Sequence, residues 1–191
     1  MRKKKIAVFA SGSGTNAEKI FQYFEGRDDV EIQLLCCNKP NAYVLERAKK
    51  FKIASFVFTR DAFYNSTLVA DKLKAEEIDL IVLAGFMWLV PASLVADFED
   101  RIVNIHPALL PKYGGKGMYG MHVHNAVKQA GERQSGITIH FVNNHYDEGN
   151  IIAQFSCELD PADSPEDIAG KVQQLEHENY PKVVDNLVLK Y

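Results

Sequence analysis

Asn104-Ile105-His106-Pro107 sets an amide and an imidazole two residues apart. In extended chain that spacing points both side chains to one face, so an N–H donor and a proton carrier can converge on one reacting atom. Asp147, in the turn Asn144-His145-Tyr146-Asp147-Glu148-Gly149, adds a carboxylate able to orient such an imidazole. An oxyanion donor, a proton-transfer group and its orienter are the parts needed to move a carbonyl group onto an amine. Each also has a plainer reading: Asn104 and His106 as the cap of a strand end, Asp147 as an ordinary turn residue.

A second candidate is the turn Ser11-Gly12-Ser13-Gly14-Thr15-Asn16, which joins a predicted strand to a predicted helix. Backbone N–H groups and the helix dipole converge there, so Ser13, Gly14, Thr15 and Asn16 suit a phosphate. Gly12, Gly14 and Ala17 also fit the loose dinucleotide pattern G-x-G-x-x-[GA], but the next strand ends in Cys36-Cys37-Asn38-Lys39, without the acid that holds ribose hydroxyls. A tight turn that simply needs glycine is the third possibility. The run Leu83 to Val90 holds the only Trp; Met87, Trp88, Leu89 and Val90 read either as core or as the flat apolar wall of a heteroaromatic pocket. His122 and His124 form an H-x-H pair that His106 can join, yet no cysteine pair or H-E-x-x-H spacing supports a metal, and a polar helix start explains the pair. No metal is expected.

These residues need a scaffold, and the hydrophobic periodicity describes one. Apolar runs alternate with helical segments: strands at 6–10, 31–37, 54–58, 80–84 and 102–105, helices at 15–24, 42–51, 61–77 with Asp61 as a possible cap, and 92–98. That alternation predicts an α/β fold, an open, mostly parallel Rossmann-like sheet with helices on both faces. A glycine-rich stretch from Ala108 to Met121 has no period and reads as a long functional loop before a helix at 122–130. Two extended runs, 136–142 and 150–157, predict an antiparallel C-terminal extension. Ser164-Pro165-Glu166-Asp167 opens a last helix with a capping box.

The chain has 191 residues, so about 150 residues per domain predicts a single domain over 1–191. With 22 Lys and Arg against 25 Asp and Glu, the net charge of −3 gives no basic surface for nucleic acid. The longest apolar run, 80–90, falls short of the roughly 18 residues a membrane span needs. Three cysteines, two of them adjacent, make a poor disulfide framework and point to a reducing, cytoplasmic setting.

Four ordered motifs carry a resemblance across the whole chain: Ser-Gly-Ser-Gly-Thr-Asn at 11–16, Leu-Ala-Gly-Phe-Met at 83–87, Asn-Ile-His-Pro-Ala-Leu-Leu-Pro at 104–111 and Asp-Glu-Gly at 147–149. The sequence resembles the folate-dependent formyltransferases, and among them those acting on phosphoribosylglycinamide in purine biosynthesis. The resemblance implies Asn104, His106 and Asp147 as the catalytic set. It implies Gly14, Thr15, Asn16, Gln173 and Glu176 as holders of the ribonucleotide. It further implies that Met87–Val90 and Asn143, Asn144, His145, Tyr146 and Asp147 line the folate pocket. The co-substrate implied is 10-formyltetrahydrofolate and the acceptor is glycinamide ribonucleotide, both small molecules, taken by a monomer or homodimer. Two alternatives stand beside this reading: a related formyltransferase acting on another amine such as a sugar nucleotide, and a non-catalytic dinucleotide-binding module. The length is taken to favour glycinamide ribonucleotide over relatives with appended domains. Four positions depart from the pattern: Ala108 replaces a common Ser, Trp88 a common Arg, the 65–67 region lacks an Arg able to touch the folate tail, and Gly114–Gly120 is longer than usual.

Overall fold

The computed structural model describes residues 2–191. Seven strands form one sheet in the order β3-β2-β1-β4-β5-β6-β7, namely β1 (Lys4–Ala10), β2 (Val30–Cys37), β3 (Ala54–Val57), β4 (Leu80–Leu83), β5 (Ile102–His106), β6 (Gln134–Phe141) and β7 (Ile151–Glu158). The first five pair in parallel; β6 and β7 are antiparallel to their neighbours, which is the expected extension. The helices are α1 (Thr15–Phe24), α2 (Val44–Lys50), α3 (Arg60–Tyr64), α4 (Leu68–Ala75), α5 (Ala92–Asp97), α6 (Met121–Gln129) and α7 (Pro165–Val188).

Strand periodicity divides the apolar residues between two cores. Ile6, Val8 and Ala10 face one side with Phe21 of α1 and Val172 and Tyr180 of α7, while Ala7 and Phe9 face the other with Phe58, Phe63 and Leu94. β1 therefore reads as a continuous apolar run, as a strand covered on both faces must. Chain order reverses on either side of β1, since β2 lies on one flank and β4 on the other. In open α/β sheets the crevice at such a reversal is where ligands bind.

One expected helix is two. The segment 61–77 divides into α3 and α4, and Thr59 rather than Asp61 caps the first, its Oγ1 accepting the Ala62 N–H at 3.2 Å. At the break the Ser66 hydroxyl donates to the Ala62 carbonyl and the Asn65 amide donates to Asp61, so short polar side chains take over groups that a continuous helix would use. The capping box of α7 is present as expected: the Asp167 N–H donates to Ser164 Oγ and the Ser164 N–H to Asp167. Inside α7 the Tyr180 hydroxyl is fully buried and lies 2.9 Å from the Leu83 carbonyl at the end of β4 and 3.3 Å from that of Val103 within β5.

Candidate functional site

Asn104 and His106 are alternate residues of β5, and antiparallel pairing sets His140 of β6 directly opposite Asn104. The Asn104 Nδ2 lies 3.2 Å from His140 Nε2, while His140 Nδ1 lies 2.8 Å from the Phe141 carbonyl. That carbonyl can only accept, so Nδ1 donates to it, and Nε2 is the atom paired with the Asn104 amide. One N–H of Asn104 is thereby anchored, and the other is left for a ligand.

His106 is 3% exposed, with Nε2 donating to the Tyr113 carbonyl at 2.7 Å and Nδ1 lying 3.5 Å from Asp147 Oδ2. Asp147 reaches this position from a left-handed backbone conformation, φ +58°, unusual for a residue with a side chain. Its Oδ2 accepts the Gly115 N–H at 2.9 Å, and its Oδ1 is 3.7 Å from His140 Nε2. The turn residue is thus also a site residue. Gly149 closes the turn tightly against the Phe141 carbonyl, where any Cβ would overlap it.

Burial pushes the His106 imidazole below its ordinary pKa, although Asp147 and the Tyr113 carbonyl both pull upward. Desolvation outweighs the pull of the carboxylate, so Asp147 tempers the lowering without reversing it. For Asp147 burial favours the neutral acid, but His140, the charge of His106 and the Gly115 N–H together hold its carboxyl below the usual carboxylate range.

Asn104, His106, His140 and Asp147 all line one cavity of about 470 Å³. One arm is apolar: Met87, Trp88, Leu89 and Val90 line it with Phe86, Val142, His145 and Tyr146. Asn143 and Asn144 do not line it; Asn143 instead accepts the His145 N–H within the turn. Trp88 packs among Phe58, Phe63 and Phe86, so it is core and pocket wall at once. The Arg60 guanidinium stands 5.7 Å from the Trp88 ring and 5.1 Å from that of Tyr64, bringing a cation beside this arm that residues 65–67 lack. The other arm is polar, with Asn16 from α1 and Gln173 and Glu176 from α7.

Asn16 Nδ2 donates to Glu176 at 2.9 Å, and burial pushes the Glu176 carboxyl up to about 7. Ser13, Gly14 and Thr15 lie outside the cavity lining, at the start of α1. Gly14 is the N-cap residue with φ +75° and no side-chain cap, so the first-turn N–H groups have no capping side chain. Its glycine identity has a packing cause as well: a Cβ would overlap Val44 of α2. The anion reading alone does not explain that residue.

Residues 4–184 match the family described as Formyl transferase. The chain belongs to that family. It is 44% identical over 190 residues to the chloroplastic phosphoribosylglycinamide formyltransferase of Arabidopsis thaliana, covering 96% of this chain and 65% of the relative, so it spans about two thirds of that protein. It is 39% identical to the phosphoribosylglycinamide formyltransferase of Bacillus subtilis, covering 97% and 95% of the two chains. The crystal structure of phosphoribosylglycinamide formyltransferase from Anaplasma phagocytophilum superposes with a TM-score of 0.89 at 30% identity, covering 98% of this chain and 88% of that one. Family members use a folate-derived formyl donor and small-molecule substrates. Among the described residues of this formyl transferase, no group of three His, Cys, Asp or Glu side chains is placed to hold a metal ion. Among the described residues no helix is long and apolar enough to cross a membrane.

His140, which flanks the Asp147 turn in sequence and is for that reason an alternative proton carrier beside His145, joins the cluster through its register with Asn104. Two other contributors escape sequence reasoning. The Tyr113 carbonyl has no side-chain signature at all. His124, read from the sequence as part of a polar helix start, is buried at 5% exposure and lines the cavity.

Proposed function

We propose that this family member transfers the formyl group of 10-formyltetrahydrofolate to the amine of glycinamide ribonucleotide, with residues 1–191 acting as one catalytic domain. The observation that carries the reading is the position of the Asn104, His106, His140 and Asp147 cluster between an apolar and a polar arm of one cavity. Two substrates held in those arms meet at the cluster, which turns a bimolecular encounter into a positioned reaction. The apolar arm at Met87–Val90, with Trp88 as a flat wall, suits a fused heteroaromatic ring whose polar edge meets backbone groups. The polar arm suits a ribonucleotide: Glu176 and Gln173 toward sugar hydroxyls, and the start of α1 toward phosphate.

As the amine adds to the formyl carbon, charge develops on the formyl oxygen, and Asn104 donates its free N–H there. His106 stands beside the same atom. A buried, easily neutral imidazole next to a carboxylate can take the proton the attacking nitrogen must lose and return it to the departing folate nitrogen. Asp147 stabilises the imidazolium while it lasts. The lowered pKa suits that cycle, because burial favours the uncharged imidazole between turnovers.

The deciding experiment offers the enzyme 10-formyltetrahydrofolate with glycinamide ribonucleotide, a sugar-nucleotide amine and water as competing acceptors. Formylation of glycinamide ribonucleotide above the other two is the expected result. Preference for the sugar nucleotide would reassign the acceptor, and tight nicotinamide dinucleotide binding without formyl transfer would overturn the reading.

A further inference from the structure

Of the buried imidazoles lining the cavity, His106 and His140 have hydrogen-bond partners and His124 has none. His124 stands in the first turn of α6, which packs against α7, the helix that supplies Ala169, Val172, Gln173 and Glu176 to the polar arm. His106 and His124 line the same cavity, and charge on His106 disfavours charge on His124. His124 thus shares the cavity of the reacting cluster and stands on a helix packed against α7.

Its two nitrogens are not equivalent. Nδ1 is sealed from solvent without a partner, so a ligand in the cavity reaches the ring through Nε2. A charged ring would bury an N–H with no acceptor, and a proton on Nδ1 alone would do the same. The remaining form is neutral with its proton on Nε2, a fixed uncharged donor. Burial and the nearby His106 both disfavour the charged form, in agreement. Such a ring cannot act as a base, because its free lone pair is out of reach.

We propose that His124 is a specificity-determining contact for the acceptor, its Nε2–H donating to the amide carbonyl that adjoins the nucleophilic amine. This rests on the acceptor being glycinamide ribonucleotide. Asn104 and His106 are engaged by the oxygen and proton of the formyl transfer, Glu176 is already paired with the Asn16 amide, and the phosphate belongs near α1. The amide carbonyl is neutral, lies one carbon from the amine, and needs a neutral donor near His106. Fixing it aims the amine at the formyl carbon.

The test is steady-state kinetics with both substrates for the wild type, His124→Phe and His124→Gln, repeated with an acceptor in which a methylene replaces the amide carbonyl. His124→Phe keeps a flat ring but removes the donor; Gln can place an amide N–H near the position of Nε2. The expected result is a KM for glycinamide ribonucleotide raised about tenfold or more in His124→Phe, a folate KM within about twofold, and substantial recovery in His124→Gln, following the loss and return of one hydrogen bond. With the methylene analogue the wild type and the variants should differ little. An unchanged acceptor KM in His124→Phe, or equal rises for both substrates, would overturn the proposal. Should His124→Phe fail to fold, the wild type decides: equal KM for amide and methylene acceptors removes the contact. A wild type that does not formylate glycinamide ribonucleotide sinks the functional reading itself, whereas normal activity with a silent His124 sinks only this inference.

Discussion

Asn104 and His140 face each other across two antiparallel strands, amide nitrogen to imidazole nitrogen at 3.2 Å, so the side chain that the proposed mechanism directs at the reacting oxygen is steadied by a neighbour that need not touch substrate. Asn104→Ala is expected to lower kcat by about 10²-fold or more, with smaller changes in both Michaelis constants, because the donor matters most once charge has developed. His140→Phe removes the anchor and keeps the ring, and about tenfold in kcat is expected from one lost hydrogen bond. Steady-state kinetics check both. Near-normal turnover in Asn104→Ala would take the amide out of the mechanism.

The His106–Asp147 pair gives a pH prediction with a definite sign. Asp147 raises the His106 pKa against a larger effect of burial, so Asp147→Asn should lower it further and move the acid limb of the kcat/KM profile to lower pH. Turnover should also fall. In the double variant with His106→Ala the losses should be far from multiplicative, since the two act as a unit. Independent losses, or an acid limb that stays in place, would return Asp147 to the role of a turn residue.

Glu176 predicts a stability trend. Burial raises its folded pKa to about 7 from 4.5, so the folded state favours the neutral acid. The stability this contributes is fully present below about 4.5 and is lost as pH rises through 7. Glu176→Gln mimics the neutral form and should raise Tm by a few degrees at pH 8, with the gain shrinking toward pH 5. Thermal melts across that range decide it; a difference that does not change with pH would show that the carboxyl does not titrate in this window.

Gly14→Ala should act on the fold before it acts on any ligand. The left-handed backbone and the overlap with Val44 together should lower stability by about 1–3 kcal/mol. Chemical denaturation measures this. A variant as stable as the wild type, with weakened binding of the ribonucleotide alone, would favour the anion role over the packing role.

Local patterns made much of this molecule legible. Asn104 and His106 lie two apart on one strand, and Ser164 and Asp167 form a cap within four residues, so their relations follow from backbone geometry. The break between Tyr64 and Leu68 was hidden because apolar spacing continues through it while Asn65 and Ser66 divert the backbone bonds. His140 was legible as a neighbour of the Asp147 turn, but its pairing with Asn104 depends on strand register, which sequence spacing does not encode. His124 sits at a helix start where polar residues are common, and only the packing of α6 on α7 encloses it.

Tyr180 links features that are far apart in the chain. Its hydroxyl ties α7 to the Leu83 and Val103 carbonyls on the paired strands β4 and β5, one helical turn beyond Glu176 and one residue before Asn104. In the proposed mechanism a pull on α7 from a ligand held by Gln173 and Glu176 is thus borne by the peptide next to Asn104. Recognition and reaction would then share one mechanical joint, and slack introduced there by Tyr180→Phe should surface as faster amide hydrogen exchange along β5 rather than as a loosened helix.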